Sequence, residues 1–169
     1  MISDEALMLE FQRGSRAAFE EIFARYRDPL HGFFRRRLDS ASQAEDLTQE
    51  TFLAVLRGAS RYEPRAPLRT YLYAIALKLL YAARRKRQPT PLAADVPSPS
   101  RPDDSLWLRQ AIARLDAAER EILMLREYEQ LSYAEIAELL RIPVNTVRSR
   151  LFRSRMALRS YLEPEVKHV

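Results

Sequence analysis

Between Gln88 and Ser105 the chain carries Pro89, Pro91, Pro97, Pro99 and Pro102 and almost no large apolar residue. Prolines lack an amide hydrogen and favour extended polyproline-II geometry at about 3.1 Å per residue, so this stretch reads as a linker able to separate two bodies by roughly 55 Å. The constraint on the fold is strong. A chain of 169 residues must then build two small cores, one over 1–87 and one over 106–169, with 88–105 between them. The 47% apolar content suffices for both. Three glycines in all, long runs of helical period, and the absence of alternating strand patterns or Asn-Gly and Asp-Gly hairpin turns predict an all-α chain of two small helical domains.

The first half opens with Ser3 as a helix cap before Asp4 and Glu5, acids placed where the helix dipole favours them. Gly14 should stop this helix near Arg13, and Ser15 should cap the next. Phe19, Ile22, Phe23 and Tyr26 then share one face. Asp28-Pro29 predicts a restart or kink, with Leu30, Phe33, Phe34 and Leu38 continuing the stripe and Arg35-Arg36-Arg37 forming a solvated end. In the following helix, Gln43 to Arg57, the predicted buried face is Leu47, Thr51, Phe52, Val55 and Leu56. That leaves Asp46, Gln49, Glu50 and Leu53 together outside, as a protein contact or as an ordinary solvated face.

Ser60 to Pro67 is predicted to be a loop, and a helix from Leu68 to Arg87 should follow, with Leu68, Leu72, Ile75, Leu79 and Ala82 inward. Around it stand Arg61, Tyr62, Arg65, Arg69, Tyr71, Tyr73, Lys78, Arg84 and Arg85. Cations that follow a backbone, interleaved with rings that stack on unpaired bases, suit a single-stranded nucleic acid. Tyrosines that merely pack in a helical core are the plain alternative. The charge distribution supports nucleic acid at two places: residues 61–87 hold eight basic and one acidic side chain and residues 132–160 six basic and two acidic, whereas residues 1–60 are net negative.

In the second half, Leu106, Leu108, Ile112 and Leu115 with Trp107 form a short amphipathic helix, and Asp116 with Glu119 resembles a capping box. The most specific stretch is Leu131 to Arg155. Ser132 and Glu135 form a capping box, Ile136, Ala137 and Leu140 follow at helical spacing, and Pro143 ends the helix, with the break near Arg141 and Ile142. A second helix from Val144 turns Val147, Leu151 and Phe152 inward and Asn145, Thr146, Arg148, Ser149, Arg150 and Arg153 outward. Arginine pairs bidentately with guanine and asparagine with adenine, so this is a helix-turn-helix set for a DNA groove. An αα-hairpin with a solvated basic face is the alternative.

No cysteine is present, which removes disulfide and thiolate-zinc frameworks. The acidic start Met1 to Glu5 is unlike a signal peptide, and no apolar run is long enough to span a bilayer, so a cytoplasmic location is expected. Neither cofactor nor metal is expected. Glu45, Asp46 and Glu50 would be the ligands of a metal-dependent nuclease, but they have no histidine or lysine nearby, and His31 and His168 are isolated.

Three stretches, Ala44 to Phe52, Leu68 to Ala76 and Leu131 to Arg150, in this order and split by a Pro-rich linker, resemble the extracytoplasmic-function group of bacterial sigma factors. These are small promoter-recognition subunits of RNA polymerase. The resemblance implies that the first domain binds and opens the minus-ten element through Arg61 to Arg85 and captures a flipped base. It implies that Asp46, Gln49, Glu50 and Leu53 dock on a coiled coil of the largest polymerase subunit. By the same resemblance, Asn145, Thr146, Arg148, Ser149, Arg150 and Arg153 read minus-thirty-five DNA, an apolar surface of the second domain holds the polymerase flap, and an anti-sigma factor is a partner. The family usually has tryptophan where Tyr71 stands, Arg-Asn where Leu77-Lys78 stands, and glycine where Arg141 stands. A free-standing helix-turn-helix regulator is the competing reading, although no heptad seam for a dimer is visible.

Overall fold

A computed structural model describes residues 1–86 and 106–163, which divide into two compact units, Met1–Leu92 and Ala93–Val169. The linker, Arg87 and the residues from Pro164 onward, His168 among them, lie outside the described residues. Every regular element described is helical. Unit 1 contains α1 (Asp4–Gln12), α2 (Arg16–Arg37), α3 (Ala41–Gly58), a 3-10 turn (Ala59–Arg61) and α4 (Leu68–Lys86).

The caps explain where these helices start. Ser3, Ser15 and Ser40 each accept a hydrogen bond from the amide three residues on, Ala6, Ala18 and Gln43, at 3.2 Å, and so satisfy donors that have no partner within the first turn. Between α1 and α2, Gly14 takes φ +101, with nothing within 4 Å of where a Cβ would sit. Its role is conformational, because only glycine enters that region at low cost.

Pro29 neither restarts nor ends α2, which runs unbroken across it. One missing backbone hydrogen bond is outweighed by burial on both sides: Ile22, Leu30, Phe33 and Phe34 are all fully buried, each contributing roughly 1.5–3 kcal/mol. The solvated arginine end is also corrected. Arg37 is buried; its Nη1 donates to the Phe33 carbonyl at 3.0 Å and its guanidinium lies 3.8 Å over the Phe33 ring, a cation held on an aromatic face. Arg35 and Arg36 are half-buried.

The inward faces of α3 and α4 differ from the predicted stripes. On α3 the buried residues are Ala44, Thr48, Thr51, Phe52 and Val55, while Leu47 is half-buried and Leu56 exposed. On α4 they are Leu68, Thr70, Leu72, Tyr73, Ala76, Leu77 and Leu80, with Ile75, Leu79 and Ala82 only partly covered. α4 packs against α1, α2 and α3, so more than one stripe is covered and the single-face pattern fails.

Unit 2 contains α5 (Leu106–Ala113), α6 (Ala117–Glu127), α7 (Tyr133–Leu140) and α8 (Val144–Leu162). Its core draws Leu115 and Ile122 to Leu125 together with Leu131, Ile136, Val147 and Leu151. Leu106 and Trp107 are exposed rather than inward, and Leu108 and Ile112 half-buried. Asp116 caps α6 through the Ala118 amide at 3.2 Å. Glu119 turns to Arg153 instead of completing a capping box; its carboxylate lies 3.5 Å from the Arg153 Nε.

Candidate nucleic-acid interface

In unit 2 the candidate interface is α8, and α7 sets its position. Ser132 Oγ accepts from the Glu135 amide at 3.1 Å, and Glu135 Oε1 accepts from the Ser132 amide at 3.2 Å, a complete capping box. At the other end Arg141 takes φ 55 and ψ 48. Its amide donates to Glu138 O at 3.3 Å and that of Ile142 to Ala137 O at 3.0 Å, the pair of bonds that closes a Schellman motif. An arginine holds the position where the resembled family has glycine, at a steric cost of order 1 kcal/mol. Pro143 then serves as the N-cap of α8, its carbonyl accepting from Thr146 and Val147.

Val147, Leu151 and Ser154 are the buried residues of α8. At about 100° per residue this leaves an outer arc of Asn145, Arg148, Ser149, Phe152 and Arg153, all exposed, flanked by half-buried Thr146 and Arg150. Phe152, predicted inward, is 65% exposed: it stands on the side of α8 opposite Leu151's core contacts. The Ser149 hydroxyl donates to Asn145 O at 2.9 Å, so its remaining capacity is as an acceptor. Arg153 divides its charge between solvent and Glu119, whereas Asn145 and Arg148 point outward with donor groups suited to base edges and phosphates.

In unit 1 the predicted surface separates into two parts. Tyr73 is 4% exposed and lies against Phe33 with ring centroids 5.5 Å apart; Tyr62 is 6% exposed and packs edge-on against Tyr71 at 5.1 Å. Neither Tyr62 nor Tyr73 presents a face to a strand in this conformation, which corrects the expectation of a ring-faced surface at these two positions. Burial pushes the hydroxyls of Tyr62 and Tyr71 above the ordinary tyrosine range, Glu5 adding to the effect at Tyr62 and the charge of Arg61 opposing it at Tyr71.

Arg61, Arg65, Lys78, Arg84 and Arg85 remain exposed, with Arg69 and Tyr71 half-buried. Arg65 is engaged by Glu63 at 2.5 Å. Leu77 is buried, so the residue that departs from the family's arginine is a core side chain here. Sequence reasoning missed Tyr81, which is 41% exposed. Its spacing was the available signal, because Lys78, Tyr81 and Arg85 stand three and four residues apart and so share one face of α4 with Tyr71.

The third predicted set lies on α3. Asp46, Gln49, Glu50 and Leu53 are all exposed at i, i+3, i+4 and i+7, one stripe of the helix. Leu56 extends the stripe into an apolar groove of about 540 Å³, lined also by Phe11, Phe19 and Phe23. Among the described residues no group of three or more His, Cys, Asp or Glu side chains could hold a metal ion, and no helix is long and apolar enough to cross a membrane.

Two helical units, one with a capped helix-turn-helix exposing a basic arc and one with a cationic helix beside an acidic, leucine-bearing stripe, are the features of a DNA-reading protein. Family models agree with this division: one described as sigma-70 region 2 matches residues 22–90, and one described as sigma-70, region 4 matches residues 105–158. The RNA polymerase sigma-H factor of Pseudomonas aeruginosa is 32% identical, the alignment covering 95% of this chain and 94% of that one. The ECF RNA polymerase sigma-E factor of Haemophilus influenzae is 30% identical over 96% of this chain and 97% of its own length. Among solved structures, CnrH in complex with the cytosolic domain of CnrY superposes with a TM-score of 0.76 at 26% identity, covering 94% of this chain and 96% of that chain.

The chain belongs to the extracytoplasmic-function group of RNA polymerase sigma factors. It directs RNA polymerase to promoters as a sigma factor and is not a free-standing regulator.

Proposed function

We propose that the two units divide promoter reading between them. α8 reads minus-thirty-five DNA in the major groove, with Asn145 and Arg148 toward base edges and Thr146, Ser149, Arg150 and Arg153 toward the backbone. The exposed strip Arg61, Arg65, Lys78, Tyr81, Arg84 and Arg85, with Arg69 and Tyr71 at its margin, holds the opened minus-ten strand. The α3 stripe of Asp46, Gln49, Glu50 and Leu53 docks on the coiled coil of the largest polymerase subunit, with Leu56 beside it. The protein works in the cytoplasm, where the polymerase and its template are, and carries out no chemistry of its own. An anti-sigma factor covers these faces when transcription is not required, in keeping with CnrH, which is bound to CnrY in its solved structure.

The observation that supports this reading most is the outer arc of α8. A capping box, a Schellman closure and three buried residues fix α8 so that Asn145 and Arg148 are exposed on one side of it. The test is to select promoters from randomised DNA with the purified chain and bacterial core polymerase, then repeat the selection with Arg148→Ala and with Glu50→Lys. Arg148→Ala should relax sequence preference in the upstream element alone, whereas Glu50→Lys should abolish core binding. Failure of the unaltered protein to bind core polymerase or to direct it to any promoter would refute the reading.

A further inference from the structure

The segment from Tyr62 to Pro67 carries Arg65 and follows Arg61, and its backbone hydrogen bonds are Tyr62 N to Ala59 O at 3.2 Å, Arg65 N to Glu63 O at 2.8 Å, and those that the Pro67 carbonyl accepts from Thr70 N at 3.0 Å and Tyr71 N at 3.3 Å. Side chains of α1 add a hold at each end. Gln12 Nε2 donates to Ala59 O at 2.7 Å and to Tyr62 O at 2.6 Å, spending both amide hydrogens on carbonyls 47 and 50 residues away. Glu5 Oε1 accepts from the Leu68 amide at 2.8 Å. That amide opens α4, where unpaired N–H groups and the helix dipole favour a carboxylate.

Glu5 and Gln12 are seven residues apart, two turns, so they lie on the same face of α1. One therefore meets the start of the loop and the other its end. α1 is itself anchored. Leu7 and Met8 are buried in the core shared with Tyr62 and Leu68, and Asp4 accepts from Arg25 Nη1 at 2.8 Å and from the Tyr26 hydroxyl. The family-model match begins at residue 22, so both clamping residues fall outside it.

We infer that Glu5 and Gln12 are positioning residues for strand capture: together they hold the Arg61–Pro67 loop in the form that receives the single-stranded non-template segment. The inference rests on the promoter-opening role proposed above for this surface. A loop ordered before binding loses less conformational entropy when a strand arrives, so its affinity is higher with no added contact. Neither residue belongs to the α3 stripe or to unit 2.

The test uses holoenzyme assembled from the full chain and bacterial core polymerase. The probe is a single-stranded oligonucleotide with the non-template minus-ten sequence of a promoter selected by the unaltered holoenzyme. Gln12→Ala and Glu5→Ala should each weaken oligonucleotide binding about tenfold, as expected for one or two lost net hydrogen bonds. Core binding and recognition of the duplex upstream element should stay within about twofold on the same scale. Glu5→Gln keeps an acceptor oxygen toward Leu68 N and should restore most of the affinity lost in Glu5→Ala. Unchanged oligonucleotide binding in both alanine variants would overturn the inference. So would a parallel loss of core binding, which would mean that α1 only supports the fold, or a Glu5→Gln variant no better than Glu5→Ala. If the unaltered holoenzyme fails to bind the oligonucleotide, the proposed opening surface fails and the clamp falls with it; variants that match a binding-competent unaltered protein refute the clamp alone.

Discussion

The basic face of α8 and the basic face of α4 look alike in the sequence, each a helix with cations on either side of an apolar stripe, yet they are built differently. α8 rests on the core of unit 2 through Val147, Leu151 and Ser154 and leaves a broad arc free. α4, like α8, meets three helices of its own unit, but it buries seven residues where α8 buries three and exposes only a strip. Cations survive in both places because their long side chains reach water even from a crowded helix. Rings are sorted instead: Tyr73 is drawn into the core beside Phe33 and Tyr62 packs edge-on against Tyr71, while Tyr81 stays exposed. A helix that buries three residues keeps a broad polar face for a ligand, and one that buries seven keeps only what can extend past its neighbours.

The contrast is most exposed at Tyr73. Tyr73→Ala should destabilise unit 1 by about 3–5 kcal/mol in denaturant unfolding, the range for truncating a buried aromatic. A normally stable variant that loses only strand binding would place this ring on the DNA side and end the distinction. Smaller effects are expected on the exposed faces. Tyr81→Ala should leave the unfolding midpoint unchanged while weakening single-strand binding by about 1–3 kcal/mol. Arg148→Ala should weaken upstream duplex recognition by about 1–3 kcal/mol, with a shallower salt dependence if its contact is to phosphate. Equal losses on both DNA probes in either variant would show the two faces acting as one. The smallest change is a gain. Arg141→Gly should stabilise unit 2 by about 1 kcal/mol by relieving a left-handed residue with a Cβ, and a loss would mean that the arginine side chain holds something glycine cannot.

The same division separates what was legible from what was not. Ser3, Ser15 and Ser132 mark their helix starts, and Pro143 follows the end of α7, whereas the cap at Ser40 appears only in the structure. The outer residues of α8 follow from its period, apart from Phe152. The errors concern which way a side chain faces. Leu56 and Phe152 lie outside, Arg37, Tyr62 and Tyr73 lie inside, and Leu106 and Trp107 are uncovered. Asp28-Pro29 suggests a restart or kink in the sequence, yet α2 runs through it, because the burial of Leu30, Phe33 and Phe34 around it cannot be counted from local sequence. Gln12 and Glu5 gave no signal at all, since their partners lie 47 to 63 residues away.

By itself, then, the sequence determined the all-helical class, where most helices begin, the helix-turn-helix and the family resemblance, because a cap, a turn or a period is decided by groups within a few residues of one another. Only the tertiary structure decided which tyrosines remain outside, where the α3 stripe meets its groove, and that α1 grips the loop before α4. Burial and the partners of a side-chain amide depend on helices that arrive from elsewhere in the chain, and no local pattern records how many of them will.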